Sequence, residues 1–168
     1  QHMIEKQYGI IGKPLSHSLS PTLHNFWFRK NNLKANYSLL EIEKNQIRDI
    51  INKIKIKELY GINVTVPYKQ DVIPYLDLIV NDADKTSSVN TIYLNNENKI
   101  VGENTDVYGF EKSFINKIGN ENITKKNILI LGSGGVTPSI IYALNKINVK
   151  KIFVSNRTLQ NAENIKKK

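Results

Sequence analysis

The stretch from Asn127 to Lys146 constrains this chain more than any other. Five residues, Asn-Ile-Leu-Ile-Leu, run into Gly132-Ser133-Gly134-Gly135, and a helix-forming segment from about Val136 to Lys146 follows. A short apolar run stopped by glycine suits a buried strand, and clustered glycines mark a tight turn. Strand, glycine turn and helix together place backbone N–H groups and a helix N-terminus where they hold a pyrophosphate. Gly132 permits the turn, and Gly134 lets phosphates approach the backbone. The third glycine of a G-x-G-x-x-G pattern is absent, because Thr137 stands there; Gly135 supplies an adjacent glycine instead. No Gly-Lys-Ser/Thr follows, which disfavours a P-loop. A plain βα turn also carries glycines, so the motif alone leaves a structural and a cofactor reading open.

The next strand, Lys151 to Ser155, narrows the choice. Where an NAD-binding chain would place a carboxylate for the ribose, this one has Asn156-Arg157-Thr158. A carboxylate repels a 2′-phosphate, whereas a guanidinium pairs with it in two-pronged fashion. The pattern favours NADP(H), with a solvated strand-end charge as the plain alternative for Arg157.

Upstream, strands alternate with helices. Tyr8 to Gly12 reads as a strand and Lys13 to Ser20 as a loop. Ser20-Pro21 reads as an N-cap with proline at the first helical position, opening a helix to about Lys30. A second strand is expected at Ala35 to Glu41. An amphipathic helix at Asn45 to Ile56 carries Ile47, Ile50, Ile51 and Ile54. A third strand spans Tyr60 to Val66 and stops at Pro67. Tyr68 to Leu76 reads as partly helical, and Ile79 to Lys85 as helical or looped. Ser88 to Leu94 and Lys99 to Gly102 read as two strands joined in hairpin fashion. The pattern changes near Asp106: a helix is expected from Val107 to Ile118, and a last helix begins at Thr158. The fold class is α/β, a mostly parallel N-terminal α/β substrate domain over residues 4–105 followed by the first part of a Rossmann-type nucleotide-binding domain over 106–168. One βαβ and a further helix make about half of such a domain, so the chain reads as cut short. Gln1-His2 before Met3 reads as a cloning remnant.

Composition excludes several function classes. With no cysteine there is no disulfide scaffold, thiolate metal site or cysteine nucleophile. No apolar run reaches the roughly 18 residues of a membrane span, and no signal peptide opens the chain, so a cytoplasmic location is expected. The net charge of +9 raises the question of nucleic acid. All but three of the 24 basic residues are lysine, scattered and without interleaved aromatics, so no nucleic-acid partner is expected. An anionic small molecule explains the sign as well. His17 and His24 lack partners at metal-ligand spacing, and no metal is expected.

Three polar clusters remain. Ser18-Leu19-Ser20-Pro21 puts two hydroxyls at a helix entrance, where free N–H groups and the dipole favour a carboxylate; Ser20 acting only as a cap is the plain alternative. Asn63-Val64-Thr65-Val66-Pro67-Tyr68-Lys69 brings Thr65 and Lys69 to the C-terminal end of a buried strand, where α/β sheets bind ligands. Composition alone makes Lys69 a surface charge; chemistry makes it a proton-transfer group. Asn90, in Ser88-Val89-Asn90-Thr91, and Asp106, in Asn104-Thr105-Asp106, are polar residues beside apolar strands, and a polyhydroxy substrate would partner them.

Taken together with Gly12-Lys13-Pro14-Leu15-Ser16-His17 and His24-Asn25, these segments, in this order and spacing, resemble the shikimate dehydrogenase family over residues 4–168. The resemblance implies reversible NADPH-dependent reduction of 3-dehydroshikimate to shikimate. By position, Ser18 and Ser20 would bind the carboxylate, and Thr65, Asn90 and Asp106 the ring hydroxyls. Lys69 with Asp106 would form the catalytic pair, the protonated amine suiting ketone reduction. Gly132, Ser133, Gly134 and Gly135 would face the pyrophosphate, and Asn156, Arg157 and Thr158 the adenosine 2′-phosphate. Val136-Thr137-Pro138 departs from the family's commoner small-residue and arginine continuation. The family also continues beyond this length with a substrate-contacting glutamine, so feeble or no turnover is expected of a 168-residue piece. A monomer or homodimer is expected. Quinate/shikimate dehydrogenase using NAD, or a non-catalytic substrate-binding fragment, are the alternatives.

Overall fold

A computed structural model describes residues 4–166. The expectations for Gln1-His2 and for the last two lysines fall outside those residues.

Strand β1 (Lys6–Gly12) carries Gly9 to Gly12 into full burial, as an apolar run bounded by glycine should. It pairs in parallel with β2 (Ala35–Glu41) on one side and β3 (Gly61–Val64) on the other. Between β1 and β2 runs α1 (Ser20–Lys30), and between β2 and β3 runs α2 (Ile47–Lys55), preceded by a 3₁₀ turn at Lys44–Gln46. Ile47, Ile50, Ile51 and Ile54 lie on one face of α2 and are all buried, because the i, i+3, i+4, i+7 spacing aims them at the sheet. They join Ile11, Ile62, Val64, Val72 and Ile92 in the main core.

Beyond β3 come β4 (Leu78–Asn81), α3 (Ala83–Thr86), β5 (Thr91–Leu94) and β6 (Ile100–Asn104). The six-stranded sheet has the order β2-β1-β3-β5-β6-β4; β4 pairs in parallel with β6, while β5 runs antiparallel to both β3 and β6. The expected hairpin across Asn95 to Asn98 is therefore present, as β5 and β6. β4 corrects the helical-or-looped expectation for Ile79 to Lys85: the run Leu-Ile-Val-Asn finds a parallel partner in β6, and only the last part of the segment turns helical. Tyr68 to Leu76 contributes one 3₁₀ turn, Ile73–Tyr75.

A second unit follows. The helix expected from Val107 to Ile118 is α4 (Asp106–Phe110), a π turn (Glu111–Ile115) and α5 (Asn116–Ile118) in succession, with α6 (Asn120–Ile123) after it. Strands β7 (Asn127–Leu131) and β8 (Lys151–Ser155) pair in parallel, linked by α7 (Thr137–Lys146), and α8 (Leu159–Lys166) closes the described chain. Ile128, Ile130, Ile152 and Ala143 pack with Val107 and Ile115 in a separate core. Among the described residues no helix is long and apolar enough to cross a membrane.

Candidate active site

The loop after β3 is pinned on both sides. Thr65 N–H donates to the Ile11 carbonyl at 2.9 Å, and Lys13 N–H donates to the Val66 carbonyl at 3.1 Å. The Val66-Pro67 bond is cis. Tyr68 turns inward and its hydroxyl donates to the Ile42 carbonyl at 2.7 Å. The next residue, Lys69, is then held by its own carbonyl, which accepts from Val89 N–H at 2.9 Å. From that fixed backbone the Lys69 Nζ reaches Asp106 Oδ2 at 2.7 Å, both side chains being largely shielded from solvent. The two residues lie 37 positions apart in sequence. A charge-assisted bond of this length orients both groups.

Asp106 opens α4. Next to it, Asn90 and Thr105 exchange two bonds: Asn90 Nδ2 donates to Thr105 Oγ1 at 2.8 Å, and Thr105 N–H donates to Asn90 Oδ1 at 3.0 Å. Asn90 Oδ1 also accepts from Thr91 Oγ1 at 3.1 Å. Thr91 Oγ1 in turn accepts from Asn63 Nδ2 at 3.3 Å, and Asn63 Oδ1 accepts the Tyr37 hydroxyl at 2.7 Å. Burial pushes the Tyr37 phenol up from its ordinary range, partly offset by a hydrogen bond with Ser20. A continuous polar chain therefore runs from Tyr37 through Asn63, Thr91 and Asn90 to Thr105. Sequence reading named Asn90 but missed Tyr37, Asn63 and Thr105 as site residues. The available signal was polar side chains at inward positions of buried strands, which demand partners.

The helix entrance departs from expectation. Leu19, not Ser20, is the N-cap, because its carbonyl already accepts the Leu23 N–H at 3.1 Å. Ser20 is the first helical residue and makes no capping bond; instead Ser18 Oγ accepts the Ser20 N–H at 3.3 Å. His24, one turn along α1, stacks flat on Tyr37 with ring centroids 4.2 Å apart, and burial lowers its pKa below the usual 6.5.

Across from Lys69 lies the glycine turn. Gly132 has φ +110°, a conformation side chains rarely adopt, and its N–H donates to the Ser155 carbonyl at 2.7 Å. A Cβ on Gly134 would meet nothing within 4 Å, so the backbone there faces open space. A Cβ on Gly135 would lie 3.0 Å from Val66 Cγ2 and 3.7 Å from Lys69 Cδ. The glycine therefore allows the turn to seat directly on the Lys69 loop. Between them is a cleft of about 290 Å³ lined by Val66, Pro67, Lys69, Gln70, Ser88, Ser133, Gly134, Gly135 and Pro138 among others. Ser18, Ser20 and Thr65 do not line that cleft. Asn156, Arg157 and Thr158 sit past the end of β8, with Arg157 and Thr158 exposed and Asn156 Nδ2 donating to the Thr158 carbonyl at 2.9 Å. An open glycine cradle ahead of α7, with an exposed guanidinium at the neighbouring strand end, fits a phosphorylated dinucleotide.

Known proteins share this chain's sequence pattern and fold. A family model described as the shikimate dehydrogenase substrate binding domain matches residues 10–92, and one described as shikimate / quinate 5-dehydrogenase matches residues 114–168. A shikimate dehydrogenase (NADP(+)) from Pelagibacter ubique is 44% identical over 164 residues, covering 98% of this chain and 61% of that protein. The crystal structure of the shikimate dehydrogenase from Aquifex aeolicus superposes with a TM-score of 0.85 at 39% identity, over 98% of this chain and 62% of that one. The Thermus thermophilus shikimate 5-dehydrogenase, solved in complex with NADP(H) and shikimate, superposes at 0.77 and 26% identity, over 96% of this chain and 60% of that one. The chain thus spans about three-fifths of the length of these relatives. Its α/β fold, with a mostly parallel sheet, is that of proteins with a substrate-binding and a Rossmann-type domain. Matched by the two models over residues 10–92 and 114–168, and aligned with the Pelagibacter protein over 98% of its own length, the chain belongs to the shikimate dehydrogenase family.

Proposed function

We propose that this chain carries the reacting site of an NADP-dependent shikimate dehydrogenase, which interconverts 3-dehydroshikimate and shikimate. The observation that carries the reading is Lys69, bonded to Asp106 at 2.7 Å and lining a cleft that the Ser133 to Gly135 turn also lines. In this reading residues 4–105 form the substrate domain and 106–168 the nucleotide part. Ser18 and Ser20 hold the substrate carboxylate, and Thr65, Asn90 and Asp106 its ring hydroxyls. Gly132, Ser133, Gly134 and Gly135 take the pyrophosphate, and Asn156, Arg157 and Thr158 the adenosine end. The nicotinamide, when bound, supplies or accepts the hydride.

The chain's own residues handle the proton. During ketone reduction, the Lys69 ammonium donates a proton to the carbonyl oxygen as hydride adds to the ring carbon; in the reverse direction the amine takes that proton back. Asp106 holds the Lys69 head in place and accepts from a neighbouring ring hydroxyl. Tyr37 and Asn63 extend the polar lining toward the serines. The proposed working compartment is the cytoplasm, as a monomer or homodimer. Arg157 supports NADP over NAD, because a carboxylate at that place would repel the 2′-phosphate. The second family description, which includes quinate, supports breadth toward that related acid.

Calorimetric titration tests the reading: shikimate and NADP⁺ should both bind, whereas a substrate-binding fragment would take shikimate only. Lys69→Ala is expected to lower turnover about 10²- to 10⁴-fold while shikimate affinity changes little. Equal and measurable turnover in the variant and its parent would remove Lys69 from the chemistry.

A further inference from the structure

Asn104 ends β6 and is buried, 3% exposed, at the seam between the two units. Its Oδ1 accepts the N–H of Asp106 at 2.9 Å and that of Val107 at 3.2 Å, so it caps α4 and fixes the backbone from which Asp106 reaches Lys69. Its Nδ2 lies 2.9 Å from Thr86 Oγ1, 3.1 Å from the Ser88 carbonyl and 2.9 Å from Ser139 Oγ. Thr86 and Ser88 belong to the first unit. Ser139 belongs to α7, the helix that follows the glycine turn, and is fully buried. One amide side chain therefore touches the substrate unit, the carboxylate of the reacting pair through its backbone, and the nucleotide helix. Away from water such a network is stronger and stiffer than its exposed counterpart.

We infer that Asn104 is a positioning residue for the Lys69–Asp106 pair, and that its bond to Ser139 relays occupancy of the glycine turn to that pair. The inference rests on the functional reading above. An anion drawn to the N-terminus of α7 biases the first turns of that helix, and Ser139 sits in the first turn. A shift of Ser139 pulls on the amide nitrogen, and the amide oxygen moves with it against the Asp106 N–H. Two amide hydrogens serve three oxygens, so removal of the Ser139 hydroxyl leaves Asn104 satisfied by Thr86 and Ser88. That makes Ser139→Ala a clean cut of the relay alone.

Calorimetry of the whole chain, with shikimate titrated in the absence and presence of saturating NADP⁺, reads the relay directly. In the parent, NADP⁺ should change the shikimate Kd at least about fivefold, and in Ser139→Ala the ratio should fall to about one with the nucleotide-free Kd within about twofold of the parent's. A parent that binds both ligands without mutual influence, or a variant that keeps the parent's ratio, would overturn the inference. So would a lowered melting temperature with both ligands weakened and their ratio unchanged, since that is what a purely structural bond would give. If the parent binds neither ligand, the functional reading itself fails, and that result is distinct from all the others.

Discussion

In the N-terminal unit Ile11 on β1 and Ile47 and Ile54 on α2 are fully buried, whereas Leu131 on β7 is 79% exposed and Phe153 on β8 51%. Both regions contain parallel strands with apolar sequences. The first has α2 and the β4–β6 strands to close it. The second has α7 against one face of two strands, and among the described residues the other face, with Leu129, Leu131 and Phe153, stays open. Near-continuous apolar strands of this kind are suited to burial on both faces. The contrast teaches that the N-terminal architecture holds its own core, while the glycine turn is presented by a thinner support.

The comparison is broken most directly by core truncation. Ile47→Ala, in the sealed region, should cost about 2–5 kcal/mol, and Leu131→Ala no more than about 0.5 kcal/mol, measured by denaturant unfolding. Equal losses would erase the distinction. A smaller effect sharpens it within the first region. Tyr37→Phe removes the donor to Asn63 Oδ1 and should cost about 0.5–1.5 kcal/mol by the same measurement. An unchanged midpoint would show that the polar chain adds nothing to stability. The smallest effect is in pH. Burial lowers the His24 pKa below 6.5, so below that pH the unfolded chain binds a proton that the folded chain resists. Stability should therefore be flat with respect to His24 above about pH 7 and fall as pH drops through 6.5. The second unit contains no histidine. His24→Phe keeps a ring against Tyr37 and should flatten the acid limb; an unaltered slope would assign it to carboxylates instead.

Much of the scaffold was legible in the sequence because its signals are local. The isoleucines of α2 sit at helical spacing, and the glycines after β1 and β7 end apolar runs, so those elements emerge where they are expected. β4 was hidden because four residues carry little periodicity and its partner, β6, follows it by some twenty positions. The interruption at Glu111–Ile115 was hidden because a wider helical turn leaves an apolar pattern close to an ordinary one. At the site, Lys69 and Asp106 stood out only as members of motifs; their meeting is a product of tertiary structure. Tyr37, Asn63 and Asn104 escaped notice because each works inward from a strand, where periodicity marks a position as interior without saying which polar atom it will meet. The serine cap was misplaced by one residue because Ser-Pro resembles a helix start, while the backbone at Leu19 had already begun the turn.

The seating of Gly135 on Val66 has a consequence for how the two reactants meet. On the proposed reading, the thickness of that contact sets the separation between the sugar-like acid and the nucleotide ring, much as a gasket sets the gap between two flanges. A methyl group at position 135 would meet Val66 Cγ2 at 3.0 Å and act as a shim, wedging the gap wider. The reach of hydride from donor to acceptor would then be tuned by a residue that has no side chain at all.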